Sequence, residues 1–161
     1  MGGVIAQEYA IAHGAGLRSL VLADTYAEPG PYCRRLFRSW AEIATAAGMP
    51  TLMRCMSPWI FSTKFIEEHE QVLAGWETDM VETPQPPGAF ASQIEALLNH
   101  DSYDRLGLID VPTLVLVAES DILIPPYLSK RLFDRLPNAV CRRSQGATEQ
   151  CGRPPMISIE R

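Results

Sequence analysis

Hydrophobic and polar positions alternate with two different periods along this chain, and the change of period divides it. Thr113-Leu114-Val115-Leu116-Val117-Ala118 is an unbroken apolar run rich in β-branched residues, ending abruptly at Glu119-Ser120-Asp121. Such a run predicts a strand buried on both faces inside a parallel sheet. Pro125-Pro126 breaks the chain after it, and Leu128, Leu132, Phe133 and Leu136 then predict a short helix over 128–136, closed by Pro137-Asn138. Residues 139–143 would form a further strand. Near the amino terminus, Val4, Ile5, Tyr9 and Ala12 fall near helical spacing and predict an amphipathic helix over 3–13, stopped by Gly14 and Gly16. Residues 17–23, LRSLVLA, predict a strand that ends in Asp24-Thr25.

Between these strands the period is helical throughout. Leu36, Phe37, Trp40, Ile43, Ala44 and Ala47 share one helical face, and Gly48 ends that helix. Residues 49–56, 65–81 and 90–98 predict three more helices, separated by Pro58, the Pro84-Pro86-Pro87-Gly88 cluster and Asn99. A stretch of this length far exceeds an ordinary crossover between parallel strands. It reads as an inserted helical subdomain over 26–110. Met49, Met53, Met56, Trp59 and Trp76 could line an apolar pocket there or fill its core.

Composition narrows the function classes. A chain of 161 residues, 47% hydrophobic, supports one domain with a real core. The net charge of −5, with no long basic run, argues against nucleic acid or an anionic membrane surface as partner. No apolar run reaches the roughly 20 residues of a membrane span, and no signal-peptide pattern opens the chain. Cys33, Cys55, Cys141 and Cys151 are scattered, without CxxC or a histidine at metal-ligand spacing. They read as free thiols of a cytoplasmic protein; Cys55 and Cys141 suit a core. No cofactor or metal is implied.

Asp121 is the leading candidate for chemistry, because open α/β sheets place their crevices at the carboxyl ends of strands. An Asp there can equally cap the turn before the next helix, and the strand pattern leaves both readings open. Glu119 is its nearest competitor. The three histidines read as structural or surface groups: His13 at a helix end, His69 among Glu67, Glu68 and Glu70, and His100 beside Asp101 at the return to the sheet.

The segments MGGVIAQEYA, RSLVLADT and VPTLVLVAESDILIPP, in this order, resemble the carboxyl-terminal half of an α/β-hydrolase. The resemblance runs from Met1 to about Arg143. It implies a partial α/β-hydrolase fold: three parallel strands with an inserted helical cap. Residues 1–25 and 111–143 would be hydrolase core, 26–110 the cap, and 144–161 an aberrant tail. Asp121 resembles the acid of the Ser–His–Asp triad. Met1-Gly2-Gly3 resembles the residues just after the nucleophile of a Gly-x-Ser-x-Gly elbow. Met1 would then give an oxyanion-hole backbone N–H in the complete protein, whereas in the chain as written its nitrogen is a free α-amine. The implied chemistry is hydrolysis of a small, partly hydrophobic carboxylic ester or lactone through an acyl-enzyme, with an enol-lactonase- or esterase-like subgroup suggested by the cap and the AESDILIPP turn.

The same resemblance implies gaps. The nucleophilic Ser would precede Met1, and no His follows the third strand. A frameshift is one expectation for the His: Gln145-Gly146-Ala147-Thr148 permit Gly-Gly-His in another frame, and PMISIER permits Pro-Asp-Asp-Phe-Asn-Arg-Ala. Coincidence is the other. The chain alone is therefore expected to be inactive, and the rival reading is a non-catalytic remnant or a module binding an apolar small molecule.

Overall fold

A computed structural model describes residues 1–82 and 86–144. The aberrant tail expected over 144–161, with Cys151 and the expected frameshift, lies outside the described residues after Ser144. Helix α1 (Gly2–His13) opens the chain, and a 3-10 turn (Gly14–Gly16) leads to strand β1 (Leu20–Ala23). Five helices follow: α2 (Pro31–Ala47), α3 (Met49–Ile60), α4 (Thr63–Glu68), α5 (Glu70–Glu82) and α6 (Pro87–Asn99). A 3-10 segment (Tyr103–Leu108) returns the chain to β2 (Thr113–Ala118), α7 (Pro126–Phe133) and β3 (Ala139–Ser144). The strands form one parallel sheet in the order β1-β2-β3. Leu22 lies beside Val115, and Val115 beside Cys141.

The expected α/β class and parallel sheet are present. One sheet face carries Leu20, Leu22, Val115 and Val117, buried against Ala10 of α1 and Leu132 of α7. Burying each such side chain contributes about 1.5–3 kcal/mol. The other face differs from expectation. Val21 and Val140 are exposed, and Leu114 and Leu116 are only partly covered, so among the described residues β2 is fully buried on one face.

The helical block has its own packing. Cys33, Leu36, Phe37, Trp40 and Ala44 of α2 are buried against Met49 and Leu52 of α3 and Ile94 of α6. The block also joins the sheet layer through Val4, Ile124 and Leu128. Ala47, expected on the buried face, is exposed at the end of its helix. Met49 is core, while Trp76 is exposed and Trp59 half-buried, so the Met and Trp residues share no single lining.

Three boundaries differ for local reasons. Pro58 lies inside α3, in its last turn, and the helix continues to Ile60. The helix expected over 65–81 is two helices, because His69 leaves helical geometry (φ −130°, ψ 27°) between α4 and α5. β1 is shorter than residues 17–23, since its pairing with β2 begins at Leu20 beside Thr113. Cys33 is fully buried, Cys141 half-buried and Cys55 exposed, so the core placement expected for Cys55 is corrected.

Helix α1 also turns a different face inward. Its buried residues are Val4, Gln7 and Ala10, while Ile5 and Tyr9 are exposed. The helix is apolar nearly all round, so hydrophobicity alone does not choose its buried side. Gln7 does: its Nε2 donates to the carbonyls of Gly3 and Tyr26, both at 3.0 Å, and its Oε1 accepts from the Ser102 hydroxyl at 2.7 Å. A buried amide is retained where its hydrogen bonds are made.

Candidate active site

Asp121 follows β2 by three residues and is 3% exposed. Its Oδ1 accepts the backbone N–H of Leu123 at 2.7 Å and of Ile124 at 2.8 Å. Its own N–H donates to the Ala118 carbonyl at 3.2 Å. The turn is therefore wound around the carboxylate, which the local Asp-x-x-x-Pro-Pro sequence accounts for: an Asx turn, then a helix with Pro126 in its first turn.

The start of α2 holds the turn from the other side. The Tyr32 hydroxyl donates to the Ile122 carbonyl at 2.7 Å, and the Cys33 thiol to the Leu123 carbonyl at 3.8 Å. Burial, reinforced by the nearby Asp121 charge, pushes the Cys33 thiol up to about 11, so it is not a nucleophilic thiolate near neutral pH. Burial, then the nearby Cys33 and Asp121, also raise the Tyr32 phenol.

Met1 occupies the matching end of α1. Its carbonyl accepts from Val4 and Ile5 at 2.9 and 3.2 Å, so the helix starts directly behind it. Burial lowers the pKa of its amine. Gly3 presses on the loop after β1: a Cβ there would lie 2.6 Å from the Cβ of Thr25. Since β1 and β2 are parallel, Met1 and Asp121 stand at the same, carboxyl-terminal edge of the sheet. Glu119 lies outside this arrangement. It faces solvent and pairs with Arg143 at 3.6 Å.

The histidines find partners elsewhere. His13 meets the Tyr9 ring, His69 stacks on Phe65 with centroids 4.4 Å apart, and buried His100 places Nδ1 3.4 Å from Glu8. Among the described residues no group of three or more His, Cys, Asp or Glu is assembled for a metal. None of their helices is long and apolar enough to cross a membrane.

Residues 1–145 match the family of the serine aminopeptidase S33 type, Hydrolase_4. The chain belongs to this α/β-hydrolase family. A protein of Azorhizobium caulinodans provisionally named carbamate hydrolase RutD is 32% identical over 139 residues, 86% of this chain and 52% of that protein. The fold of an α/β hydrolase enzyme from a Medee basin deep-sea metagenome matches with TM-score 0.81 at 23% identity, over 91% of this chain and 54% of the other. The enol-lactonase of Burkholderia xenovorans matches with TM-score 0.79 at 25% identity, over 91% and 55%. The chain thus spans about half the length of the relatives it matches.

Within this hydrolase frame, the polar links that brace the site were not visible in the sequence. Asp24 has a left-handed φ of 44°, alone among the described non-glycine residues, and its Oδ1 accepts the Ala118 N–H at 2.8 Å. Ser129 of α7 donates to the Thr25 carbonyl at 2.7 Å. Strand-end Asp24 was legible as a terminator; its bond across to β2 had no signal in the local sequence. A cavity of about 590 Å³ lies aside from Asp121, between α7 and β3, where Glu119, Tyr127, Lys130 and Arg143 line it.

Proposed function

We propose that this chain is the acid-bearing, carboxyl-terminal half of a serine hydrolase that cleaves a carboxylic ester or lactone through an acyl-enzyme. Asp121 is the triad acid. It holds the His in the working tautomer and steadies the imidazolium formed when the Ser proton is taken. Met1 contributes a backbone N–H to the oxyanion hole once an upstream peptide bond makes its nitrogen an amide. The helices over 26–110 act as the cap, and the substrate is a small, partly hydrophobic acyl compound. The observation that carries this reading is the buried, turn-wrapped Asp121 at the same sheet edge as the start of α1. The half-length match to hydrolase relatives supports the assignment of the nucleophile to residues ahead of Met1.

A second reading is favoured by the placement of His13, His69 and His100, each engaged away from Asp121: a remnant without catalysis. Sequencing the gene from upstream of Met1 to beyond Arg161 separates the two, together with labelling by a serine-directed fluorophosphonate. The hydrolase reading expects an in-frame Gly-x-Ser ahead of Met1, a His codon recoverable after Arg143, labelling of the longer product at that Ser, and none of the 161-residue chain. Ester, lactone and carbamate substrates belong in the activity screen, the last because of the name carried by the relatives. A locus with neither codon leaves the remnant reading.

A further inference from the structure

Ala118 is bonded on one side by the acid turn and on the other by a second carboxylate. Ala118 closes β2, and its C=O accepts the Asp121 N–H at 3.2 Å. Its N–H is taken by Oδ1 of Asp24 at 2.8 Å, from the end of the neighbouring strand. Asp24 is itself fixed: its own N–H donates to the Leu116 carbonyl at 3.1 Å. It reaches this position in the left-handed region, φ 44°, which a non-glycine L-residue occupies at a cost of about 1–2 kcal/mol. Asp and Asn tolerate it best, because a short polar side chain bonds locally. Such a conformation persists where surrounding contacts over-determine it. Those contacts are abundant here, since Thr25 and Tyr26 are tied to Ser129 and Gln7.

We infer that Asp24 is a positioning residue for Asp121, setting the placement of the acid turn through Ala118. The inference rests on the assignment of Asp121 as the triad acid. The Ala118 N–H needs only an acceptor oxygen, so removing the charge of Asp24 while keeping that oxygen should leave the acid turn in place, and removing the oxygen should release it. Burial raises the Asp24 carboxyl, the Ala118 N–H lowers it, and the Asp121 charge raises it again.

The test uses the full chain carrying Asp24→Asn or Asp24→Ala, with a readout that needs no catalysis: amide hydrogen exchange at Ala118 and Asp121. Asp24→Asn should keep both amides protected. Asp24→Ala should speed exchange at Ala118 and Asp121 by about tenfold or more while β1 stays protected, the mark of local opening. Ala118 and Asp121 amides that remain protected in Asp24→Ala overturn the inference, as do amides that exchange as fast in Asp24→Asn as in Asp24→Ala. If the Ala variant does not fold, Asp24→Gly, which removes the carboxylate and relieves the left-handed φ, carries the same readout. Loss of the Asp121 catalytic assignment would leave these results standing, so the two failures are distinguishable.

Discussion

The Ser102 hydroxyl donates a 2.7 Å hydrogen bond to Oε1 of Gln7, and both residues are 0% exposed. This bond ties α1 to the segment that returns from the helical block, next to the Ser102 N–H···O=C bond to Ala27 at 3.0 Å. Ser102→Ala should destabilise the chain by about 1–3 kcal/mol, because it strands a buried amide oxygen. Gln7→Leu with Ser102→Ala should cost less than Gln7→Leu alone plus Ser102→Ala alone. Urea denaturation of the four chains measures the coupling; strict additivity would mean that the bond contributes nothing.

His100 gives the fold a pH dependence with a definite sign. Its side chain is buried, and Nε2 has no hydrogen-bond partner among the described residues. Burial lowers its pKa below 6.5; Glu8 and Asp101 oppose that shift and Arg105 adds to it. The unfolded chain therefore binds this proton more readily, so stability is full above about pH 6.5 and falls on acidification below it. Glu8, held low chiefly by its bond to Arg105, adds a loss in the same direction only below pH 4.5. Between pH 7.5 and 5.5, wild type should lose stability and His100→Gln should lose much less. Parallel losses in the two proteins would remove His100 from the account.

Gly3 and Gly14 should respond oppositely to alanine. A Cβ on Gly3 would meet Thr25 Cβ and Oγ1 at 2.6 Å, whereas nothing lies within 4 Å of one on Gly14. Gly3→Ala should cost about 1–3 kcal/mol through overpacking beside the site. Gly14→Ala, at φ −53°, should be neutral or stabilise by about 0.4–1 kcal/mol. Thermal melts of the two variants provide the comparison.

These effects mark what the sequence could and could not disclose. β2 matches the apolar run Thr113–Ala118 residue for residue, because unbroken apolarity, β-branching and the polar stop agree there. Asp121 was legible as the site candidate for the same reason. The orientation of α1 was not, since Gln7 is chosen by Tyr26 and Ser102, partners 19 and 95 residues away. The α4–α5 break at His69 was also hidden, in a stretch whose apolar spacing continues through it. Pro58 read as a separator, yet α3 runs two residues past it to Ile60, giving up only the one N–H that would reach the Arg54 carbonyl.

The uncovered sheet face should make the chain self-associate. Val21, Leu114 and Val140 lie in one row across the strands, with Val21 56% and Val140 54% exposed. β1 is also an edge strand, and apolar edges template pairing with other chains. Val21→Thr with Val140→Thr should lower the sedimenting fraction several-fold at equal concentration. Equal, low self-association in both proteins would show that this face is not sticky.

The role of Asp121 is tested most directly in the longest polypeptide the gene encodes, by comparing kcat of Asp121→Asn with that of Glu119→Gln. Replacing a triad acid by its amide misorients the histidine and lowers kcat by about 10⁴-fold. The account predicts a loss of that order for Asp121→Asn with the fold retained, and little change for Glu119→Gln, whose partner is the exposed Arg143. Full activity in Asp121→Asn would contradict it.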